Sequence, residues 1–358
     1  MAIAEKVRQL RASGRDVISL ALGDTHTSPP TAVVDAINQA IAAGDTHYSS
    51  AAGLEPLREA IAQNYYATRF LPEHILIVPG VKQGLFYLFR ATNPKRISVL
   101  EPTWLGYKAT AGLLNTEIVS VDRTHPNWLD HVAKEEFDLL TICSPNNPDG
   151  KIFNQQESEA LLNICKSKNA WLISDEIYST YDYDSKWNSM AQFSYDKLVV
   201  CNGFSKSHAM TGMRVGWIAS QNPKVIEDSC KLQQHIATCP CTPVQRGLVT
   251  QADPQLAALR DTALIYNQNR MLIAEKLEGF SSYLPDGALY YFVPTSVLGG
   301  GSGADVAEQL LAEQGVAVVP GVAYGDSFEE FVRISFSTAE STLRSAIDRI
   351  RDFTNSRN

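Results

Sequence analysis

The stretch Asn202-Gly203-Phe204-Ser205-Lys206-Ser207-His208-Ala209-Met210-Thr211-Gly212-Met213-Arg214-Val215-Gly216 decides how this sequence reads. It follows an apolar run, Lys197 to Cys201, with the composition of a buried strand. A lysine at the end of such a strand is costly unless it is paired or reactive. Partial burial and cationic neighbours lower an amine's pKa and let it attack carbonyls, forming Schiff bases. Eight residues on, Arg214 offers a planar, permanently charged fork suited to phosphate. A Ser-Lys pair alone says little, since most such pairs are surface residues. The weight falls on what the neighbouring segments carry.

The bulk properties exclude several classes. At 358 residues the chain is long enough for two domains. Apolar residues make up 44% and charged residues 20%, the ordinary range of globular proteins. A net charge of −8 argues against a general nucleic-acid role. Cys143, Cys165, Cys201, Cys230, Cys239 and Cys241 are scattered and read as reduced thiols in a cytosolic protein. Cys239-Pro240-Cys241 has no partner cluster, so no metal is expected. Ile3, Val7 and Leu10 stand at helical spacing with charges between them, unlike a secretory leader. No apolar run approaches the length of a membrane span. The expected location is the cytoplasm, with no nucleic-acid or membrane partner.

Along the chain, Ile3 to Arg11 predicts a short amphipathic helix and Val17 to Leu22 a strand ending at Gly23. Pro30 opens a helix over Thr31–Ala43 that Gly44 ends. His47 to Arg58 is a loop leading into a further helix through about Thr68. Strands are then predicted at Ile75–Val78, Ile97–Leu100, Glu117–Val121, Phe137–Cys143, Trp171–Ser174, Leu198–Cys201 and Val215–Ala219. Helices between them include Gln83–Phe89, Gln155–Lys166 and Val225–Ala237. This alternation predicts an α/β fold with a doubly wound, mainly parallel sheet, whose sites gather at the carboxyl ends of strands. After Pro243 one long helical stretch is predicted towards Leu277. Tyr290–Val293, Val316–Val319 and Arg333–Phe336 are strand-like, Gly299–Gly303 is a flexible loop, and Ala339–Phe353 is a closing helix.

The residues just after each predicted strand carry the chemistry. Pro79-Gly80-Val81-Lys82-Gln83 opens a helix, whose free backbone N–H groups suit phosphate, although a plain strand-to-helix turn reads the same way. Trp104 stands where it can stack on an aromatic ring or simply fill a core. Ser144-Pro145-Asn146-Asn147-Pro148-Asp149-Gly150 makes a rigid turn from which an asparagine amide can donate to a ligand oxygen. Asp175-Glu176-Ile177-Tyr178 puts two acids directly after a buried run, where they need partners or serve a helix N-terminus. A carboxylate there can hold a pyridine nitrogen protonated, and Tyr178 can donate to a phenolate oxygen. A Schiff-base lysine, Lys206, beside a phosphate-binding arginine, Arg214, is what pyridoxal 5'-phosphate (PLP) requires.

In this order the constellation resembles the class I/II aminotransferases of PLP fold type I, in particular their aspartate-aminotransferase-like branch. The resemblance runs from Val17 to Phe353. It implies a large domain with a mainly parallel seven-stranded sheet, plus a smaller α+β domain from both chain ends. The expected boundaries are 1–35 for the N-terminal part of the small domain, 36–255 for the large domain and 256–358 for the rest. By resemblance, Lys206 carries the internal aldimine and moves the proton between substrate and cofactor, and Asp175 pairs with the pyridinium nitrogen. Asn147 and Tyr178 bond the ring oxygen, Trp104 stacks on the ring, and Val81, Lys82, Ser205 and Arg214 hold the phosphate. Val332-Arg333-Ile334-Ser335-Phe336 looks like the family's carboxylate motif, with Arg333 gripping the α-carboxylate. Gly23, Asn147 and Lys82 join Arg333 as expected substrate contacts, Lys82 meeting a distal carboxylate. Tyr48 resembles the tyrosine that reaches the partner's phosphate, so a homodimer with composite sites is expected.

Four departures from the family pattern stand out. Gly203 replaces a serine found in many relatives, and Asp149 replaces a threonine or serine and is expected to leave its turn unchanged. The entrance motif reads Gly23-Asp24-Thr25-His26, and the chain is expected to lack the segment with which relatives cover the site. The implied activity is transfer of an amino group from an amino acid to a 2-oxo acid, 2-oxoglutarate being the expected acceptor. The alternative on the same scaffold is a PLP-dependent lyase or β/γ-replacement enzyme. A non-catalytic regulator is disfavoured by the intact Lys206, Asp175, Asn147, Tyr178 and Arg214.

Overall fold

A computed structural model describes residues 2–357. After a short first strand, β1 (Ile18–Ser19), come β2 (Ile75–Val78), β3 (Arg96–Glu101), β4 (Glu117–Asp122), β5 (Leu139–Cys143), β6 (Trp171–Asp175), β7 (Leu198–Gly203) and β8 (Gly216–Ala219). These seven form one sheet in the order β2-β8-β7-β6-β5-β3-β4. All neighbours are parallel except β8, which runs antiparallel to β2 and β7. Helices cover both faces, so β2, β5, β7 and β8 are buried along their whole length, as their continuous apolar runs require.

The register aligns Cys143 with Asp175 and Asp175 with Cys201 at the carboxyl ends of β5, β6 and β7. Because β7 and β8 are antiparallel neighbours, residues 204–215 form an excursion that leaves and re-enters the sheet at paired positions, Gly203 opposite Gly216. A Cβ on Gly203 would lie 2.8 Å from the Gly216 Cα, so this close approach needs glycine. Lys206 and Arg214 ride on that one excursion.

Four further strands follow: β9 (Tyr290–Pro294), β10 (Val316–Ala317), β11 (Val319–Pro320) and β12 (Phe331–Ser335). β11, β12 and β9 form an antiparallel sheet, and β1 pairs in parallel with β10. The smaller α+β part is thus built from both chain ends, and Ser335 N donates to Leu20 O at 2.8 Å where they meet. The last helix, Glu340–Asn355, buries Leu343, Ala346, Ile347, Ile350 and Phe353 against it.

Three expectations need correction. The long helix predicted after Pro243 is two helices, Thr242–Leu248 and Ala257–Lys276. Pro254 has no N–H for a continuing helix, and Asp253 accepts from Gln255 N at 2.8 Å in the break. The strand predicted over Val316–Val319 is divided, β10 serving one sheet and β11 the other. Of the strand predicted over Val17–Leu22, only Ile18 and Ser19 pair in a ladder.

Gly53, in the loop between Tyr48 and the helix Glu55–Tyr66, has φ +89°, and a Cβ there would sit 2.4 Å from Ile77 of β2. Gly53→Ala should destabilise by about 1–3 kcal/mol through a strained backbone conformation. Urea unfolding reads this as a lowered midpoint, and an unchanged midpoint would show that the loop yields without cost.

Candidate active site

Lys206 lies on a single helical turn, Phe204–Ser207, directly after β7. Its Nζ donates to the Gly23 carbonyl, and Tyr181 Oη donates to the Lys206 carbonyl at 2.8 Å. Burial pushes the ammonium down from 10.5 to about 8; Arg333 and Arg214 push the same way, and Asp24 opposes them. An appreciable fraction of this amine is therefore unprotonated and nucleophilic near neutral pH. A Cβ on Gly23 would overlap Tyr290 Oη, so only glycine lets this carbonyl reach the lysine.

Of the two acids after β6, only Asp175 faces the cavity. Tyr107 Oη donates to its Oδ2 at 2.8 Å and Ile177 N to its Oδ1 at 3.2 Å. Burial raises its carboxyl to about 6, and these hydrogen bonds with the charge of Lys206 limit the rise. Glu176 turns to the opposite side, as strand alternation requires. It accepts from Ser189 Oγ (2.7 Å), Met190 N (2.9 Å) and Ser174 Oγ (3.1 Å), and burial lifts it to about 7.

Asn147 and Arg333 meet across the two sheets. Arg333 Nη1 donates to Asn147 Oδ1 at 3.0 Å and Nη2 to the Ala21 carbonyl at 2.5 Å. The guanidinium lies 4.2 Å from the Tyr290 ring centroid and 5.2 Å from that of Tyr324, while its buried Nε has no partner. Asn147 Nδ2 points to Tyr178 Oη at 3.4 Å, and that hydroxyl shares a 2.8 Å hydrogen bond with Tyr290 Oη. Asp149 forms an ion pair with the buried Arg123, a partner its own segment does not indicate.

At the other end of the cavity, Arg214 Nη1 donates to the Thr211 carbonyl at 2.7 Å, and its guanidinium occupies the space a Cβ on Gly80 would need. The helix Val81–Thr92 starts there, and its first amides have no partner within the helix. Lys82, Ser205 and Trp104 line the same cavity of about 390 Å³, with Lys82 Nζ 5.7 Å from the Trp104 ring centroid. Ile3 of the helix Ala2–Ala12 also lines it, so this chain's own N-terminal helix closes part of the mouth expected to be uncovered. Tyr48 does not join the site of its own chain and is 85% exposed.

Sequence reasoning missed Tyr107, Tyr290 and Tyr324. A signal existed only for Tyr107, three residues after Trp104 and one helical turn along the same wall.

The arrangement fits PLP. A cradle without room for a Cβ lies beside an arginine that could take a phosphate, a buried carboxylate is available to a ring nitrogen, and a lysine of lowered pKa lines the same cavity. Fold and site together define a PLP-dependent enzyme of fold type I. A family profile described as "Aminotransferase class I and II" matches residues 15–350. The aspartate aminotransferase of Thermotoga maritima is 31% identical over 373 residues, covering 100% of this chain and 96% of that protein. That of Bacillus subtilis is 31% identical over 376 residues, covering 99% and 95%. The solved aspartate aminotransferase of Thermus thermophilus with maleate superposes with a TM-score of 0.92 at 30% identity, covering 98% and 95%. The chain belongs to the class I and II aminotransferases. It uses PLP and transfers an amino group from an amino acid to a 2-oxo acid; the relatives give the lyase alternative no support. Among the described residues no helix is long and apolar enough to cross a membrane.

The lowered Lys206 pKa is directly measurable. In the cofactor-free protein, acylation of Lys206 should rise with pH around a midpoint of about 8, because only the free amine reacts. Asp24→Asn removes the charge that favours the ammonium, so its midpoint should fall below that of the native protein. A native midpoint near 10.5, followed by peptide mass spectrometry, would contradict the burial argument.

Proposed function

We propose that this aminotransferase accepts 2-oxoglutarate as amino acceptor and works in the cytoplasm as a homodimer with composite sites. The carrying observation is charge: Lys82, Lys206, Arg214 and Arg333 line one cavity together with a single carboxylate, Asp175. Arg214 neutralises a phosphate, Arg333 takes an α-carboxylate and Lys206 reacts, which leaves Lys82 for a second, distal carboxylate. The Thermus relative was solved with maleate, a dicarboxylate, which agrees with that assignment.

In this reading Val81 and Lys82 amides, Ser205 and Arg214 hold the phosphate, Trp104 covers one face of the ring, and Asn147 and Tyr178 donate to the ring oxygen. Asp175 keeps the ring nitrogen protonated; a neighbouring pyridinium would in turn hold its carboxyl ionised. When bound, PLP supplies an electron-withdrawing ring that delocalises the pair left when the substrate Cα–H bond breaks. Lys206 Nζ would take that Cα proton and pass it to the cofactor carbon C4′, two bonds away. Gly23, through its carbonyl, orients the lysine and closes the substrate side. Arg333 and Asn147 fix the substrate's α-carboxylate, and with it the direction of the Cα–H bond.

The six cysteines are all unpaired, which suits a reducing compartment. The chain divides in this reading into 1–35 and 256–358 as the small domain and 36–255 as the large one. Tyr48 is a large side chain left in solvent on a loop tied to β2 by Ile77 N donating to the Ala52 carbonyl at 3.1 Å, where a second copy can receive it.

A partly desolvated ammonium–carboxylate contact contributes roughly 1.5–3 kcal/mol, about ten- to a hundredfold in preference. Lys82→Ala should therefore lower kcat/KM for aspartate and glutamate by that factor and leave methionine nearly unchanged. A uniform loss across the three donors would assign Lys82 to the phosphate alone.

Subunit mixing tests the composite site. Tyr48→Phe and Lys206→Ala homodimers should each be impaired, and mixing them should recover activity, because each heterodimer then holds one site with both residues native. No recovery, or an active monomer in sedimentation, would refute the shared site.

A further inference from the structure

We infer that Arg123 is a positioning residue for Asn147, acting through Asp149. The inference rests on the proposed contact between Asn147 and the cofactor's ring oxygen. Arg123 directly follows β4, and its backbone N–H donates to the Glu101 carbonyl at 2.8 Å, so its backbone is anchored to the end of β3. Its guanidinium is buried, lies 5.8 Å from the Phe153 ring centroid and pairs with the Asp149 carboxylate. Asp149 in turn accepts from Asn146 Nδ2 at 2.7 Å and from Lys151 N at 3.2 Å. Asn146 Nδ2 also donates to the Pro102 carbonyl at 2.9 Å, and Asn146 N donates to the Lys151 carbonyl at 2.9 Å. The turn that presents Asn147 is thus clamped from behind by one carboxylate, and that carboxylate is neutralised by one arginine.

A threonine or serine at 149 would bring no charge and need no cation. With aspartate there, removing the arginine leaves a largely buried, unpaired anion, which relaxes by turning to water or drawing in another cation. Either response pulls on Asn146 and moves Asn147, whose Oδ1 is held by Arg333 and whose Nδ2 lies against Tyr178. Arg123 and Asp149 are therefore a unit: the turn tolerates both or neither.

The test uses the holoenzyme and reads the pH midpoint of the bound cofactor's visible absorbance, which responds to hydrogen bonds at the ring oxygen. Asn147→Ala, Arg123→Met and the double variant Arg123→Met/Asp149→Thr are compared with the native protein. Asn147→Ala and Arg123→Met should both move the midpoint upward, by roughly half a unit or more, as a donor to the oxygen is lost or displaced. The double variant should return to the native midpoint. A native midpoint in Arg123→Met, with Asn147→Ala shifted, overturns the proposal alone; a native midpoint in Asn147→Ala overturns the ring-oxygen reading and this proposal with it. If Arg123→Met does not fold, the double variant decides: a native midpoint upholds the unit, and a shifted midpoint or an insoluble protein overturns it.

Discussion

Gly203 and Gly216 approach across β7 and β8 with no room for a Cβ, and the placement of Lys206 and Arg214 follows from that contact. The twelve residues between them cannot drift, because both ends are paired in the sheet and Phe204 N donates to the Val215 carbonyl at 3.2 Å. Within that closed excursion Lys206 is placed beside the end of β6, where Asp175 stands, and Arg214 beside the start of the helix Val81–Thr92. Gly216 serves a second neighbour as well: a Cβ there would lie 3.1 Å from Val81 N. The carboxyl end of β7, the start of β8, the segment between them and the helix start are packed as one piece, so the backbone fixes where Lys206 and Arg214 enter the cavity.

The electrostatic pattern is the inverse of the whole molecule. The chain carries a net charge of −8, yet the cavity is lined by four cationic side chains and one acid. Such a pocket concentrates small anions against the general field of the protein. Gathering so many like charges around one cavity is tolerable because each is handled separately. Lys206 sheds part of its charge through its lowered pKa, Lys82 stays largely in solvent, and Arg214 is held by carbonyls. Asp175 is kept from becoming a simple counter-ion by Tyr107 and Ile177 N, which each donate to one of its carboxylate oxygens.

Much of this was legible in the sequence because buried parallel strands are continuous apolar runs whose ends are marked by the first polar residues. Asp175 ends β6, Asn147 and Lys206 lie within a few residues of the ends of β5 and β7, and Arg214 stands just before β8; their order along the chain is enough to suggest the site. What was not legible depends on contacts distant in sequence. Tyr290 touches Tyr178 across 112 residues, and nothing local in Tyr290-Tyr291 says which ring faces the site. The break at Pro254 was missed because apolar spacing continues on both sides of it and outweighed the proline. The role of Asp149 was not legible for a similar reason: its partner, Arg123, belongs to a different strand end and is not unusual in its own segment.

Arg333 shows how such a site stays ready for its ligand. A buried guanidinium is commonly neutralised by a carboxylate, which a substrate would then have to displace. Here, among the described residues, no carboxylate pairs with it. Its charge is met by the faces of Tyr290 and Tyr324 and by the carbonyl oxygens of Asn147 and Ala21. Aromatic faces and carbonyls stabilise a cation without cancelling it, so an incoming carboxylate gains a full ion pair and displaces no resident anion. The unpartnered Nε is the part of the fork left unsatisfied in this arrangement. In the proposed reading, the fold thus holds Arg333 free of any resident carboxylate and open to the substrate's. The same hydrogen bond from Arg333 to Asn147 links recognition of the carboxylate to the residue proposed to touch the cofactor's ring oxygen.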